Sequence, residues 1–244
     1  RSTLFPYTTL FRSLSLHIRR HTLASAGMST ILITGASRGI GAATARALSD
    51  RDLVLVGRDT DALNSVARDC RSARVVTADL TTADGIAAAA AGIDTLDGLV
   101  HCAGVAGLGR VDESDAEQWR HQYEVNVVAV AELTRMLLPA LRAMRGDVVV
   151  VNSGAGTTAK PGWGAYSASK FALRAFTDTL RGEEPDLRVT SVHPGRVDTA
   201  MQRGIVATEG KTYTPDAYLR PESVAAVIRQ ALEATADAHI AEIA

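Results

Sequence analysis

From Met28 onward, apolar and polar positions change rhythm again and again along the chain. Short runs rich in β-branched residues fall at 31–34, 53–56, 74–77, 96–101, 147–152 and 188–193. They are apolar almost throughout, the pattern of strands covered on both faces. Between them, longer stretches carry helical periodicity at 39–49, 61–69, 83–90, 115–144, 165–181 and 221–234. Strands alternating with helices predict βαβ units around a parallel sheet, an α/β domain with helices on both faces. Pro139 within 115–144 predicts a kink, and the alanine run 87–91 reads as a surface helix. Several strand runs end in Gly, Asn or Asp, where an open parallel sheet presents its ligand crevice. No repeat and no Gly/Pro/Ser-rich linker interrupts the pattern, so 28–244 is expected to be one domain.

Composition narrows the partners. With 46 % apolar residues, 22 % charged residues and a net charge of -1, the 244-residue chain carries no electrostatic signature of nucleic acid or a membrane surface. No run approaches the ~18 apolar residues that a membrane span needs. The two cysteines, Cys70 and Cys102, make no disulfide framework, which agrees with a cytoplasmic location. The six histidines fall at no metal-ligand spacing, and no metal site is expected.

Residues 1–27 stand apart: four Arg, no Asp or Glu, and Thr-Leu-Phe and Arg-Ser each twice within the first thirteen positions. The segment resembles a sequencing adapter translated through an open frame, with Met28 as the expected true start. A transit peptide, or a signal peptide cut near Ala24-Ser25-Ala26, is the competing reading, but the continuous apolar stretch of a secretory signal is lacking. An extraneous or unstructured tail is expected, and His17 and His21 are then a chance pair.

The chemistry begins after the first strand run. Gly35-Ala36-Ser37-Arg38-Gly39-Ile40-Gly41 leads into a helix. Glycines permit the tight turn and let backbone N–H groups approach a pyrophosphate, while the helix N-terminus presents its positive dipole end. The spacing is Gly-x3-Gly-x-Gly, and its place between strand and helix points to a dinucleotide. At the end of the second strand run, an NAD site usually places a carboxylate for the ribose hydroxyls. Here Gly57 precedes Arg58, and Arg38 sits in the glycine loop. Two guanidiniums suit a 2′-phosphate, so NADP(H) is expected, with NAD(H) as the alternative. In the blander reading both arginines are solvated surface residues and Asp59 caps a helix.

Four further residues align. Ser153 ends the fifth strand run, and Asn126 lies within 115–144. Tyr166 and Lys170 are spaced i, i+4 on one helix and share a face. A phenol near pH 10 is a poor proton donor or acceptor at neutrality, and a neighbouring ammonium is expected to lower that value. Singly, each residue has an ordinary reading: a surface Tyr–Lys pair, a turn serine.

Together they resemble the short-chain dehydrogenase/reductase family, from Ile31 to about residue 235. The match takes in the glycine loop, Asp79-Leu80, His101-Cys102-Ala103-Gly104, Asn126, Ser153, Tyr166, Lys170 and Pro194-Gly195-Arg196-Val197-Asp198-Thr199. The resemblance implies a Rossmann-type doubly wound domain with about seven parallel strands, and an oxidoreductase passing hydride between NADP(H) and a carbonyl or secondary alcohol. It implies Tyr166 as acid/base, Ser153 holding the substrate oxygen, Lys170 binding the nicotinamide ribose and lowering the tyrosine pKa, and Asn126 supporting a water relay. Gly35, Ser37, Arg38, Gly39, Ile40, Gly41, Arg58, Asp79, Leu80, Ala103, Gly104, Pro194, Gly195, Val197 and Thr199 would meet the cofactor, with Tyr166 and Lys170. Asp79 would face the adenine.

Two departures stand out. His101-Cys102 replaces the family's Asn-Asn, which touches local packing but not the backbone role. The stretch 239–243 resembles the family's last strand, cut short of its tail. The substrate pocket is expected at 155–164 and a lid-like stretch at 198–215, where Trp163 and Met201 suit an apolar substrate and Lys160, Arg196 and Lys211 an anionic one. Cys102 reads as a small buried hydrophobe and His193 as structural. The helices 115–144 and 165–181 resemble those through which the family forms homodimers or homotetramers. The competing functional reading is an NADP-binding sensor or scaffold without turnover, although this chain keeps all four catalytic positions.

Overall fold

A computed structural model describes residues 29–235 and 237–244. The expectations for 1–27 fall outside the described residues. The strands are β1 (Thr30–Thr34), β2 (Asp52–Gly57), β3 (Ser72–Thr77), β4 (Gly98–His101), β5 (Asp147–Val151), β6 (Arg188–Val192) and β7 (Glu242–Ile243). They form one seven-stranded sheet in the order β3-β2-β1-β4-β5-β6-β7, with every pairing parallel. Around it lie α1 (Gly39–Ala47), α2 (Thr60–Ala67), α3 (Ala83–Ala90), α4 (Ala116–Tyr123), α5 (Ala129–Met144), α6 (Gly164–Glu183), α7 (Ala200–Thr208) and α8 (Pro221–Leu232). This is the Rossmann-type α/β architecture.

Alternation along each strand sends neighbouring residues to opposite faces, and the two faces build two separate cores. Leu32, Val54, Leu99, Val148 and Val150 pack with Ile86 of α3, Leu133, Leu137 and Leu141 of α5, and Leu173 of α6. Ile31, Ile33, Leu55, Val100 and Val149 pack with Ala42 and Ala45 of α1, Leu63 of α2 and Ile228 of α8. Each fully buried leucine or isoleucine contributes about 1.5–3 kcal/mol relative to exposure. No helix among the described residues is long and apolar enough to cross a membrane.

The helical stretch expected at 115–144 is three segments. Between α4 and α5 lies a π-helical turn, Glu124–Val128, with Asn126 at its centre. Pro139 is accommodated inside α5. Another difference lies in the stretch 198–215. It contains a full helix, α7, which its short mixed sequence with Gly204 did not announce.

The strand order reverses between β1 and β4, which opens a crevice beyond their C-terminal ends, where such sheets bind ligands. Thr34 closes its floor: the Thr34 Oγ1 accepts from the Cys102 and Ala103 amides, both at 3.1 Å.

Candidate active site

A cleft of about 690 Å³ opens above β4, β5 and β6. Its walls bring together Ile40, Ala103, Gly104, Ser153, Tyr166, Lys170, Pro194, Gly195, Val197 and Thr199, all singled out in the sequence. Gly35, Ser37, Arg38, Gly39, Gly41, Arg58 and Asp79 lie outside that lining, around the ends of β1 to β3. Leu80 packs its side chain against the core. Asn126 is fully buried behind the cleft.

The glycine loop has the shape of an anion cradle. Gly35 and Gly39 adopt positive φ (65° and 57°). A Cβ at Gly35 would fall 2.8 Å from the Ala103 nitrogen, and one at Gly41 would fall 2.3 Å from the Gly35 oxygen. Only glycine therefore lets β1, the loop and the end of β4 close on each other. Arg38, the residue before α1, makes no side-chain cap, so the first N–H groups of the helix stay available to a ligand. These residues fit the pyrophosphate of a dinucleotide. Arg38 and Arg58 are exposed, and Arg58 is close enough to Asp79 to help lower that carboxyl's pKa, after the hydrogen bonds from Thr81. Asp59 caps α2, accepting from the Ala62 amide at 3.0 Å, as its blander reading had it.

Opposite the cradle, Tyr166 and Lys170 occupy successive turns of α6. Both are buried. The Lys170 Nζ donates to the Val151 oxygen at 3.1 Å and lies 6.0 Å from the centre of the Tyr166 ring. Burial pulls the lysine down to about 8. Burial pushes the tyrosine above its ordinary value, against a hydrogen bond with Ser153 that pulls it down. This corrects the expectation that the ammonium lowers the phenol: the direction is opposite, its cause is desolvation, and the Lys170 ammonium is not among the groups that shift the phenol. The Ser153 Oγ accepts from the Ala155 amide at 3.1 Å, which leaves its proton free to point into the cleft.

Asn126 works by its side chain. The Oδ1 accepts from the Val105 amide, and the Nδ2 donates to the Val105 oxygen and the Ser169 Oγ, at 2.9, 2.9 and 3.0 Å. It fastens the loop after β4 to α6, and with it Gly104, where a Cβ would meet the Asn126 Oδ1 at 3.2 Å.

Two residues outside the expected set support the site. His193 is buried beneath Ser153. Its Nδ1 stands 3.1 Å from the Ser153 oxygen and its Nε2 2.8 Å from the Ser191 Oγ. Since a carbonyl only accepts, Nδ1 is the donor to the Ser153 oxygen. The structural reading of His193 stands, but what it holds is the serine of the site. Gln202, on α7, lines the cleft. One sequence signal pointed to it: Thr199-x-x-Gln202 is a capping-box pattern.

The charged candidates divide. Arg196 lines the cleft 5.7 Å from the Trp163 ring, but Glu209 holds its guanidinium. Lys211 lies off the cleft lining and pairs with Glu209 at 3.2 Å. Lys160, Trp163 and Met201 line the cleft. Burial raises the Cys102 thiol to about 12, which makes it inert. The His101 Nε2 bonds the Thr134 Oγ1 at 2.9 Å, and burial lowers that imidazole to about 3. Among the described residues no His/Cys/Asp/Glu cluster has metal-binding geometry.

A glycine cradle at the switch point, with Ser153 beside the buried Tyr166 and Lys170 on one cleft, is the arrangement of a nicotinamide-dependent oxidoreductase. A family model described as short chain dehydrogenase matches residues 29–210. The chain belongs to the short-chain dehydrogenase/reductase family. It is 35 % identical over 189 residues to an uncharacterised oxidoreductase of Schizosaccharomyces pombe, covering 75 % of this chain and 76 % of that one. It is 32 % identical over 232 residues to a Saccharomyces cerevisiae benzil reductase ((S)-benzoin forming), covering 82 % and 88 %. Among solved structures, an alcohol dehydrogenase of the archaeon Thermococcus sibiricus, complexed with 5-hydroxy-NADP, superposes with a TM-score of 0.81 at 29 % identity, over 88 % of this chain and 95 % of that one.

Proposed function

We propose that this oxidoreductase is an NADPH-dependent carbonyl reductase acting on largely apolar ketones. The observation that carries the reading is the meeting of Ser153, Tyr166 and Lys170 in one cleft, with Ile40 of the glycine loop in the same lining. A bound dinucleotide would supply the hydride for the carbonyl carbon. Tyr166, kept protonated by burial, gives its proton to the carbonyl oxygen as negative charge grows there. Ser153 holds that oxygen with the hydroxyl proton that the Ala155 contact leaves free. Lys170 would hold the nicotinamide ribose and place positive charge behind the phenol. The Asn126 side chain has no polar atom to spare. In a relay, the residue would contribute its main-chain carbonyl in the π turn.

Preference for NADP(H) over NAD(H) rests on exposed Arg38 and Arg58, on the absence of a carboxylate at Gly57, and on Asp59 being engaged as a cap. The NADP-type ligand of the Thermococcus sibiricus enzyme supports it. Preference for largely apolar substrates rests on the apolar surface of Trp163, Met201 and Ile205 in the cleft. The yeast benzil reductase supports aromatic ketones. Exposed Val128, Met136 and Phe171, at 45 %, 37 % and 43 %, support pairing of two copies through the π turn, α5 and α6.

The test is a panel of ketones with NADPH, followed by nicotinamide absorbance. Wild type should turn over aryl ketones and diketones, and Tyr166→Phe should lose ~10²–10⁴-fold in turnover while still binding NADPH. Near-wild-type turnover in that variant would remove the tyrosine from the mechanism.

A further inference from the structure

The cleft is lined by three cations, Lys160, Lys170 and Arg196, and by no carboxylate. Lys170 is committed to the reacting end, where its Nζ donates to the Val151 oxygen. The phosphates of a dinucleotide would fall to the N-terminus of α1 and to Arg38 and Arg58, which lie outside this lining. Lys160 and Arg196 are left over. They belong to different loops, one joining β5 to α6 and the other following β6. Trp163 brings them to one place: its amide donates to the Lys160 oxygen at 3.1 Å, and the Arg196 guanidinium lies 5.7 Å from its ring centre.

The neighbouring carboxylates do not cancel these charges. Glu209 lies off the lining and is shared, accepting from Arg196 and, at 3.2 Å, from the Lys211 Nζ. One carboxylate therefore faces two cations before Lys160 is added. Asp198, at the entry to α7, is taken by Arg203 at 3.1 Å and by the Tyr213 hydroxyl. Lys160 is exposed and forms no ion pair among the described residues. Arg196 has donors to spare: Glu209 engages Nη1 and Nη2 once each, and a guanidinium carries five N–H groups. Beside this positive excess, Trp163, Met201 and Ile205 give the cleft apolar surface.

We propose that Lys160 and Arg196 receive a carboxylate of the substrate, and that the preferred substrates are keto acids, with an apolar skeleton between the reacting carbonyl and the carboxylate. The inference rests on the carbonyl reductase reading and names its substrate class. A carboxylate meets charge-assisted donors in a cleft that partly excludes water, where such bonds are stronger than neutral ones. A neutral ketone gains only the apolar contacts.

The probes are 4-oxo-4-phenylbutanoate and 5-oxo-5-phenylpentanoate, each paired with its primary amide, which keeps the shape and removes the charge. The diagnostic is the acid-to-amide ratio of kcat/KM. In wild type at low ionic strength it should be about ten or more for at least one spacer length. Raising KCl to about 0.5 M should lower it several-fold, since an exposed lysine is screened. Lys160→Glu, a change on the surface, should lower the ratio at least about ten-fold. Glu209→Gln should raise it several-fold, because Arg196 and Lys211 lose their shared counter-charge; a merely structural role for the pair would not raise it. A wild-type ratio near one for both spacers, or a ratio that neither variant moves, overturns the inference while leaving the reductase reading intact. A ten-fold loss of NADPH affinity in Lys160→Glu with no change in ratio, read by nicotinamide fluorescence, assigns the cation to the cofactor and overturns it too. Failure of wild type to reduce any of the four compounds overturns the reductase reading and this inference with it.

Discussion

The pH dependence of ketone reduction should be governed by Lys170 rather than by Tyr166. Burial holds the phenol above its ordinary value of 10. At pH 9 fewer than about one phenol in ten is ionised, so the proton donor stays loaded across the working range. The lysine is different, because burial brings it to about 8. Its charged fraction falls from about 90 % at pH 7 to about 10 % at pH 9. If the ammonium is the active form, activity is nearly full at pH 7, half lost near pH 8 and mostly lost by pH 9. With NADPH saturating, kcat/KM should therefore fall about ten-fold between pH 7 and 9 and level off below 7. Lys170→Met should lie low and flat over the same range. Tyr166→Phe should lose 10²–10⁴-fold, a barrier change of about 3–5 kcal/mol. The ring itself stays packed 5.8 Å from Trp163, so the fold should survive. The assay is nicotinamide absorbance with one accepted ketone in constant-ionic-strength buffers. A wild-type profile flat from pH 6 to 9.5, or an alkaline limb that persists in Lys170→Met, would refute the reasoning.

Arg58→Ala should weaken NADPH about ten-fold or more by fluorescence titration and leave NADH nearly unchanged. Gly57→Asp should tilt preference toward NADH, since a Cβ there meets the Ser37 Oγ at 3.5 Å, an ordinary contact with room for a carboxylate. Equal effects on both dinucleotides would sink the NADP assignment. His193→Phe should lower kcat/KM at least ten-fold at unchanged NADPH affinity, because the Ser153 oxygen loses its donor; His193→Asn, which can restore an N–H, should recover part of that loss, and a variant pair differing only in melting temperature would leave the histidine purely structural. Phe171→Glu should convert a dimer to monomer by light scattering, and a wild type already monomeric at micromolar concentration would remove that face as an interface.

Much of the site was legible because its chemistry is local in sequence. The Gly35–Gly41 spacing and the Tyr166–Lys170 interval each fit within two helical turns. What was not legible depends on distant contacts. His193 takes its meaning from a carbonyl forty positions earlier, and Arg196 was read as a free cation because its partner Glu209 lies beyond an unannounced helix. The π turn at Asn126 changes the periodicity over only five residues, too few to shift an apolar stripe. The direction of the tyrosine's pKa shift was misjudged because the spacing of Tyr166 and Lys170 shows their closeness but not how dry their surroundings are.

The strand β7 gives the molecule an order of completion. It pairs with β6 at Ser191 and Val192, and the Ile243 oxygen accepts from the His193 amide at 2.7 Å. The dinucleotide cradle needs β1, α1 and the end of β4, all early in the chain. The prop under Ser153 needs β7. During vectorial synthesis a nascent chain can therefore acquire its nucleotide-binding half well before its serine is braced. A dinucleotide bound at that half would stabilise the emerging fold by mass action, while the brace under Ser153 waits for β7 to dock.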